Sequence, residues 1–193
     1  EIGDYLTINI SCPNVGDGRS FEDNVLLEKL LERINKIRND KKILLKISPD
    51  INEKNLNGII KLAEKYKING FVVSNLTKKR EGLSSDLKLK YSGGVSGKHT
   101  REKSNKLIKY IFKKTKGKFI IVGCGGVFNG DDAYDKIKNG ASLIQLITGM
   151  IFEGPGVVSK INKNLAELLK KDGYKNIKEA IGVGVNDKKY LGF

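Results

Sequence analysis

The chain has 193 residues, 39% of them hydrophobic and 30% charged, with a formal net charge of +14. This length predicts one domain, and the charge density argues against a membrane span, which needs roughly 18 apolar residues in a row. The positive charge is mostly lysine spread along helical stretches without an RNA- or DNA-binding motif, so a nucleic-acid partner is not expected.

Five apolar runs predict buried strands. None of them alternates cleanly with polar residues, which is typical of a parallel sheet covered on both faces. The predicted strands are residues 6–10, 43–47, 70–75, 119–124 and 143–148.

Helical patterns lie between and after these strands, since apolar residues recur there at i, i+3, i+4 spacing. Asp50 or Asn52 is expected to cap the second helix, while Gly140 and Gly173 should follow the ends of the last two. The one long loop, residues 77–100, is typical of a functional or mobile segment. The helical stripes are Leu27, Leu30, Leu31 and Ile34; Leu56, Ile59, Ile60 and Ala63; Leu107, Ile108, Ile111 and Phe112; the segment 131–140; and Ile161, Leu165, Leu168 and Leu169.

The alternation of strands and helices predicts an α/β fold with parallel strands. Two architectures fit it: an open doubly wound sheet of five strands, or part of a barrel. Both bind ligands at the carboxyl ends of the strands. The residues that follow each strand are therefore the candidates for function.

Glycine-rich segments follow the last two strands and end the long loop. Gly125-Gly126, Thr148-Gly149 and the segment GGVSG (93–97) would let backbone N–H groups approach an anion. The last two strand–helix loops of eight-stranded barrels often form a phosphate site. Tight turns are the alternative interpretation of either pair alone, but together the segments favour a phosphate-bearing ligand.

Polar side chains also stand at the strand ends. Lys46 lies within an apolar run, so it faces either a structural ion pair or a cofactor or anionic substrate. Asn9, Asn14 and Asn75 offer both donors and acceptors. They either cap turns or read a ring with alternating C=O and N–H groups, such as a pyrimidine.

Two cysteines are too few for a disulfide framework and indicate a cytoplasmic protein. The chain also opens without the basic and apolar blocks of a signal peptide. Cys12 is a candidate nucleophile or base, or else a small buried hydrophobe. Cys124 is expected to be buried within a strand. His99 is expected at the surface, and the sequence identifies no partner for it. No metal site is expected.

Six segments follow one another across nearly the whole chain: INISCPN, LLKISPD, GFVVSNLT, GGVSGK, IIVGCGGVFNGDDAYDKIKNGASLIQLITGMIFEGP and LLKKDGYKNIKEAIG. Together and in this order they resemble the dihydroorotate dehydrogenase family. The resemblance implies an FMN-containing (β/α)8 TIM barrel that oxidises dihydroorotate to orotate. It also implies that residues 1–193 are the carboxyl-terminal part of one such domain, strands 4–8 with their helices, and that the amino-terminal part is absent.

The resemblance assigns a role to each matching residue. Cys12 falls at the position of the catalytic base, while Asn9, Asn14 and Asn75 match positions that hold the substrate. The positions that match cofactor contacts are Asn9, Lys46, Ser74, Gly97, Gly126, Ile147 and Thr148. Two residues depart from the family pattern: Leu76 replaces a threonine, and Ile147 stands where the quinone-using class often has tyrosine.

The subclass rests on conflicting residues. Cys12 is typical of the soluble class, which uses fumarate or NAD, whereas KISPD, SNLT and GGVSGK are more similar to the quinone-using class, which we favour. A cytoplasmic protein is then expected, peripheral on the inner face of the membrane through an absent amino-terminal segment. Alternatives are another FMN or phosphate-binding barrel, such as IMP dehydrogenase with its cysteine nucleophile, and a basic barrel remnant that binds nucleic acid.

Overall fold

The computed structural model describes residues 3–12, 20–38, 40–83 and 93–186. In these ranges five strands form one sheet, and helices follow the strands. The strands are β1 (Tyr5–Asn9), β2 (Lys42–Ile47), β3 (Gly70–Val73), β4 (Ile120–Cys124) and β5 (Leu143–Gln145).

The helices occupy the segments between and after the strands. Two short 3-10 turns, Gly97–Thr100 and Val183–Asn186, complete the described structure. The helices are α1 (Asn24–Ile37), α2 (Glu53–Lys65), α3 (Arg101–Thr115), α4 (Gly130–Lys138), α5 (Thr148–Glu153), α6 (Val157–Lys171) and α7 (Ile177–Ala180).

The order of the strands separates the two architectures that the sequence left open. All four pairings are parallel, and the sheet runs β1-β2-β3-β4-β5 in chain order. A doubly wound sheet reverses its direction of growth at a switch point, whereas successive neighbours are the arrangement of a (β/α)8 barrel. The predicted α/β barrel class is confirmed, and the open doubly wound sheet is excluded.

The predicted helix ends are confirmed in detail. Asn52 is the cap of α2, because its side chain accepts a hydrogen bond from the Asn55 N–H at 2.8 Å. Asp50 instead accepts from Thr77 and Lys78 across the sheet edge. Gly140 (φ +117°) follows the end of α4 in the left-handed region that favours glycine.

The third and fifth strands are shorter than predicted. β3 ends at Val73, although the N–H groups of Ser74 and Asn75 still donate to Cys124 and Ile47 on the two neighbouring strands. β5 ends at Gln145 because the chain turns there into α5. Helices α5 and α7 were not predicted, since six and four residues are too few for a periodic pattern.

The two ends of the predicted long loop lie together. Thr77 and Val95 exchange backbone hydrogen bonds of 2.9 and 2.7 Å in an antiparallel bridge. Residues 84–92, within that loop, lie outside the described part. None of the helices in the described ranges is long and apolar enough to cross a membrane.

The two faces of the sheet carry different side chains. Ile43, Leu45 and Ile47 of β2 belong to the large core that the sheet shares with α1, α2 and α3. The alternate residue Leu44 joins a small cluster with Val72 and Val122 on the opposite face. Because strand side chains alternate, Lys46 lies on the face of this small cluster.

Candidate active site

A cavity of about 190 Å³ opens at the carboxyl ends of β2, β3, β4 and β5. This is the end of a parallel barrel at which ligands bind. Seven of the ten site residues predicted from the sequence line the cavity: Lys46, Ser74, Asn75, Gly97, Gly126, Ile147 and Thr148. Asn9 and Cys12 stand at the adjoining end of β1, and Asn14 lies outside the described residues.

Lys46 is the only charged side chain among the described residues that line the cavity. It pairs in register with Asn9 of β1 and Val72 of β3. None of the four ion pairs between described residues includes it. A half-buried ammonium of this kind is stabilised by negative charge nearby, which none of these four ion pairs supplies.

A buried serine joins the two described asparagines of the site. Asn9 Oδ1 accepts from the Ser11 N–H at 3.2 Å and the Ser11 hydroxyl at 3.0 Å. Asn75 Nδ2 donates to the Ser11 carbonyl and hydroxyl oxygens, both at 3.1 Å. The ends of β1 and β3 are thereby tied across the end of β2. Sequence reasoning missed Ser11 because a serine beside a cysteine and a proline carries no distinct signal.

The two cysteines are free thiols in different surroundings. Cys12 is exposed and directly follows Ser11, so it stands one residue from the Asn75 contact. Cys124 is half-buried and lines the cavity. The expectation of a buried Cys124 was wrong, because it ends β4 on the face where the cavity opens.

The glycine segments predicted from the sequence meet at one side of the cavity. Gly97 (φ +77°) and Gly126 (φ +74°) both need the freedom of glycine. A Cβ on Gly97 would lie 3.0 Å from Thr148 Cγ2, so the two loops are in close contact. The Ser96 and Thr148 hydroxyls are hydrogen-bonded at 2.9 Å. Backbone and hydroxyl groups thus converge where the sequence predicted a phosphate.

A buried lysine supports the cavity wall from behind the sheet. Lys136 of α4 is fully buried, and its Nζ donates to Ser104 Oγ and Asn105 Oδ1, both at 2.9 Å. Ser104 Oγ in turn lies 3.0 Å from the carbonyl oxygen of Val73 and 2.7 Å from that of Cys124. Val73 and Cys124 are the last residues of β3 and β4, and the residues that follow them line the cavity.

Burial lowers the pKa of Lys136 to about 7, and the nearby Cys124 and Asp132 oppose that shift. Sequence reasoning missed this lysine. The available signal was its position on the apolar stripe of α4 beside Ala133 and Ile137, where an ammonium needs buried partners.

His99 is half-buried, and its Nε2 lies 3.2 Å from the backbone carbonyl oxygen of Lys79 in a solvent-exposed contact. The predicted surface position does not conflict with this arrangement. The partner is a backbone atom of the long loop, which the sequence pattern could not identify. His99 does not line the cavity.

Comparisons with known proteins agree with this arrangement. The family model for dihydroorotate dehydrogenase matches residues 1–169. The chain is 39% identical to a dihydroorotate dehydrogenase (quinone) of Crocosphaera subtropica, covering 96% of this chain and 51% of that protein. It is 40% identical to one of Trichodesmium erythraeum, covering 94% and 50%. The chain therefore spans about half the length of the curated relatives it matches.

The structural comparison gives the same result. A ligand-free crystal structure of DHODH from Eimeria tenella superposes with a TM-score of 0.85 at 29% identity, covering 93% of this chain and 55% of that one. A second structure from this organism, in complex with ferulenol, gives 0.84 at 28% identity, covering 93% and 54%. The chain belongs to the dihydroorotate dehydrogenase family.

Proposed function

We propose that residues 1–193 are the carboxyl-terminal part of one FMN-binding barrel domain that oxidises dihydroorotate to orotate in pyrimidine synthesis. The observation that carries the proposal is the convergence of the seven predicted residues on one cavity. In this proposal β1 to β5 are barrel strands 4 to 8. An amino-terminal part supplies the remaining strands and closes the barrel.

The residues of the cavity fit FMN. Apolar side chains of Leu76, Val127 and Leu146 suit a planar ring system, and the Asn75 amide suits ring C=O and N–H groups. The glycine backbone and the Thr148 hydroxyl suit a phosphate. Lys46 suits the negative charge that a reduced flavin carries.

In the proposed complex the chain contributes groups from every strand end. Lys46, Ser74 and Asn9 contact the flavin ring, while Gly97, Gly126, Ile147 and Thr148 surround its phosphate. Ile147 acts through its backbone, so it needs no hydroxyl there. Asn9, Asn14 and Asn75 hold the substrate. When the substrate binds, Asn9 and Asn75 give up their hydrogen bonds to Ser11 and form hydrogen bonds to the ligand instead.

Cys12 is the proposed general base. Its sulfur accepts a proton from C5 of dihydroorotate, and the C5–H electron pair becomes the new C5=C6 double bond as a hydride leaves C6. Bound FMN supplies the acceptor of that hydride at N5. The exposure of Cys12 beside the substrate asparagines leaves it accessible to a substrate at the mouth of the barrel.

Quinone is the proposed electron acceptor. The relatives from Crocosphaera subtropica and Trichodesmium erythraeum are both named dihydroorotate dehydrogenase (quinone), and the segments KISPD, SNLT and GGVSGK also favour that class. The protein would then lie in the cytoplasm, peripheral on the inner face of the membrane, docked through an amino-terminal segment. Cys12 is the residue that favours the soluble class instead.

The test uses the full-length protein. We expect it to purify yellow, to release FMN on denaturation, and to change its flavin spectrum when orotate is added. Dihydroorotate should bleach the flavin without oxygen, and a soluble quinone should restore the colour faster than fumarate or NAD. A colourless protein that cannot be reconstituted with FMN would contradict the proposal.

A further inference from the structure

We infer that Arg101 and Asp132 form a clamp that turns the backbone of the loop Gly125–Phe128 towards an anion in the cavity. Neither residue lines the cavity, so both are positioning residues rather than contacts of the ligand. The inference rests on the proposed function only for the identity of that anion as the phosphate of FMN.

All three guanidinium nitrogens of Arg101 are engaged. Nη1 and Nη2 lie 2.9 and 3.0 Å from the two carboxylate oxygens of Asp132, a bidentate pair. Nε donates to the carbonyl oxygen of Gly126 at 2.9 Å. The Asp132 side chain is only 6% exposed, so solvent screens this pair less than a surface ion pair.

The same carboxylate also holds the far side of the loop. Asp132 Oδ2 accepts a hydrogen bond from the Phe128 N–H at 2.9 Å. The clamp therefore fixes a carbonyl before Val127 and an N–H after it. Asn129 completes the arrangement, because its side chain accepts from the Asp132 N–H and starts α4 at this point.

The geometry of the peptide bond gives the consequence. The bond between Gly126 and Val127 is trans, and in a trans peptide the C=O and the N–H point in opposite directions. Because the Gly126 carbonyl points at Arg101, the Val127 N–H points away from Arg101. Gly126 and Val127 both line the cavity. In this inference the clamp therefore directs the Val127 N–H into the cavity, where it would donate a hydrogen bond to an anion.

Gly126 is what lets the clamp close. Its φ is +74°, and a Cβ at this position would lie 2.5 Å from Arg101 Cβ and 2.8 Å from Arg101 Cα. The loop thus packs directly on the first turn of α3. The fork of an arginine reaches both the carboxylate and the carbonyl, which the single ammonium of a lysine cannot reproduce.

The experiment compares FMN with riboflavin, which lacks the phosphate. Dissociation constants for both flavins are measured on the full-length apoprotein as wild type, Arg101→Lys, Asp132→Asn and Lys118→Met. Arg101→Lys removes the guanidinium group, and Asp132→Asn removes the negative charge of its partner. Lys118→Met is the matched control, because it removes an exposed ion pair with Glu64 far from the cavity.

We expect Arg101→Lys and Asp132→Asn to weaken FMN binding by about tenfold to a hundredfold, the usual effect of a lost hydrogen bond to a charged group. Riboflavin binding should change less than about twofold, so the preference for FMN falls. Lys118→Met should leave both constants unchanged. Two conservative variants are used so that one decides the test if the other does not fold.

An equal loss for FMN and riboflavin, or an unchanged preference, would overturn the clamp. Titration of the wild type with inorganic phosphate separates this inference from the proposed function. Phosphate binding that Arg101→Lys weakens, in a protein without flavin affinity, would support the clamp and contradict the FMN proposal. A wild type that binds neither flavin nor phosphate would overturn both.

Discussion

The two faces of the sheet are built from the same strands but differ in chemistry. On the face covered by helices, Ile43, Leu45 and Phe71 are almost completely buried in one large apolar core. On the opposite face, Leu44 and Val72 belong to a small apolar cluster. Lys46 lies on the same face and lines the cavity. Apolar burial is non-directional and supplies stability, whereas the cavity face presents polar groups whose direction matters.

The two faces are connected at the strand ends. Lys136 and Ser104 lie on the helix side, yet they hold the carbonyls of Val73 and Cys124 at the cavity wall. The comparison therefore predicts three kinds of variant: those that change activity alone, those that change stability alone, and those at the junction that change both. All predictions below refer to the full-length protein.

The largest expected effect belongs to the cavity side. Cys12→Ala should slow flavin reduction by dihydroorotate by about 10²- to 10⁴-fold, the usual contribution of a general base. FMN binding and the free energy of unfolding should stay the same, since Cys12 is exposed. Anaerobic stopped-flow measurement checks the rate, with Cys12→Ser as the control that keeps a proton acceptor. Near-normal reduction at every pH would remove the base assignment.

The next effect belongs to the helix side. Phe71→Ala should lower the free energy of unfolding by about 3–5 kcal/mol, because it removes a fully buried ring. That ring also makes an edge-to-face contact with Phe119 at 5.1 Å between centroids. Urea denaturation checks the value, and Val72→Ala on the opposite face is the matched control. A smaller loss for Phe71→Ala than for Val72→Ala would break the comparison.

A smaller, pH-dependent effect is expected at the junction. Burial lowers the pKa of Lys136 from 10.5 to about 7, so the unfolded chain binds a proton that the native state lacks between these pH values. The free energy of unfolding therefore rises with pH in this window, by at most about 1.4 kcal/mol per pH unit. In Lys136→Met the free energy of unfolding should not show this increase with pH.

Urea denaturation of the wild type and Lys136→Met at pH 7.5 and pH 9 checks this sign. The wild type should gain stability relative to the variant as the pH rises. A constant difference between the two proteins would show that Lys136 keeps its ordinary pKa. A shift of the flavin spectrum in Lys136→Met would show that the junction also reaches the cavity wall.

The smallest effect is expected away from both faces. Lys118→Met removes an exposed ion pair with Glu64 of 3.1 Å, and such surface pairs contribute about 0–1 kcal/mol. Its flavin affinity and turnover should equal those of the wild type. A large loss of stability here would mean that the surface, and not only the core face, holds the sheet together.

Local patterns in the sequence determined the elements and the candidates. Apolar runs and helical stripes depend on neighbours in the chain. They therefore located the five strands and the long helices of the described ranges, with Asn52 and Gly140 at helix ends. Strand-end position singled out Asn75 and the glycines at 125–126 and 149, while a charge within an apolar run singled out Lys46. Short elements such as α5 and α7 lack enough residues for a period, and the sequence did not locate them.

Features that depend on contacts between distant segments of the chain could be established only from the tertiary structure. The order of parallel strands separated a barrel from a doubly wound sheet, because register and neighbourhood are set by contacts far apart in the chain. The burial of Lys136, the bridge through Ser11 and the clamp of Arg101 on Asp132 also join residues from different elements. Their hydrogen bonds depend on the three-dimensional positions of residues that are distant in the sequence. Apolar burial, in contrast, produces a periodic pattern that is visible in the sequence itself.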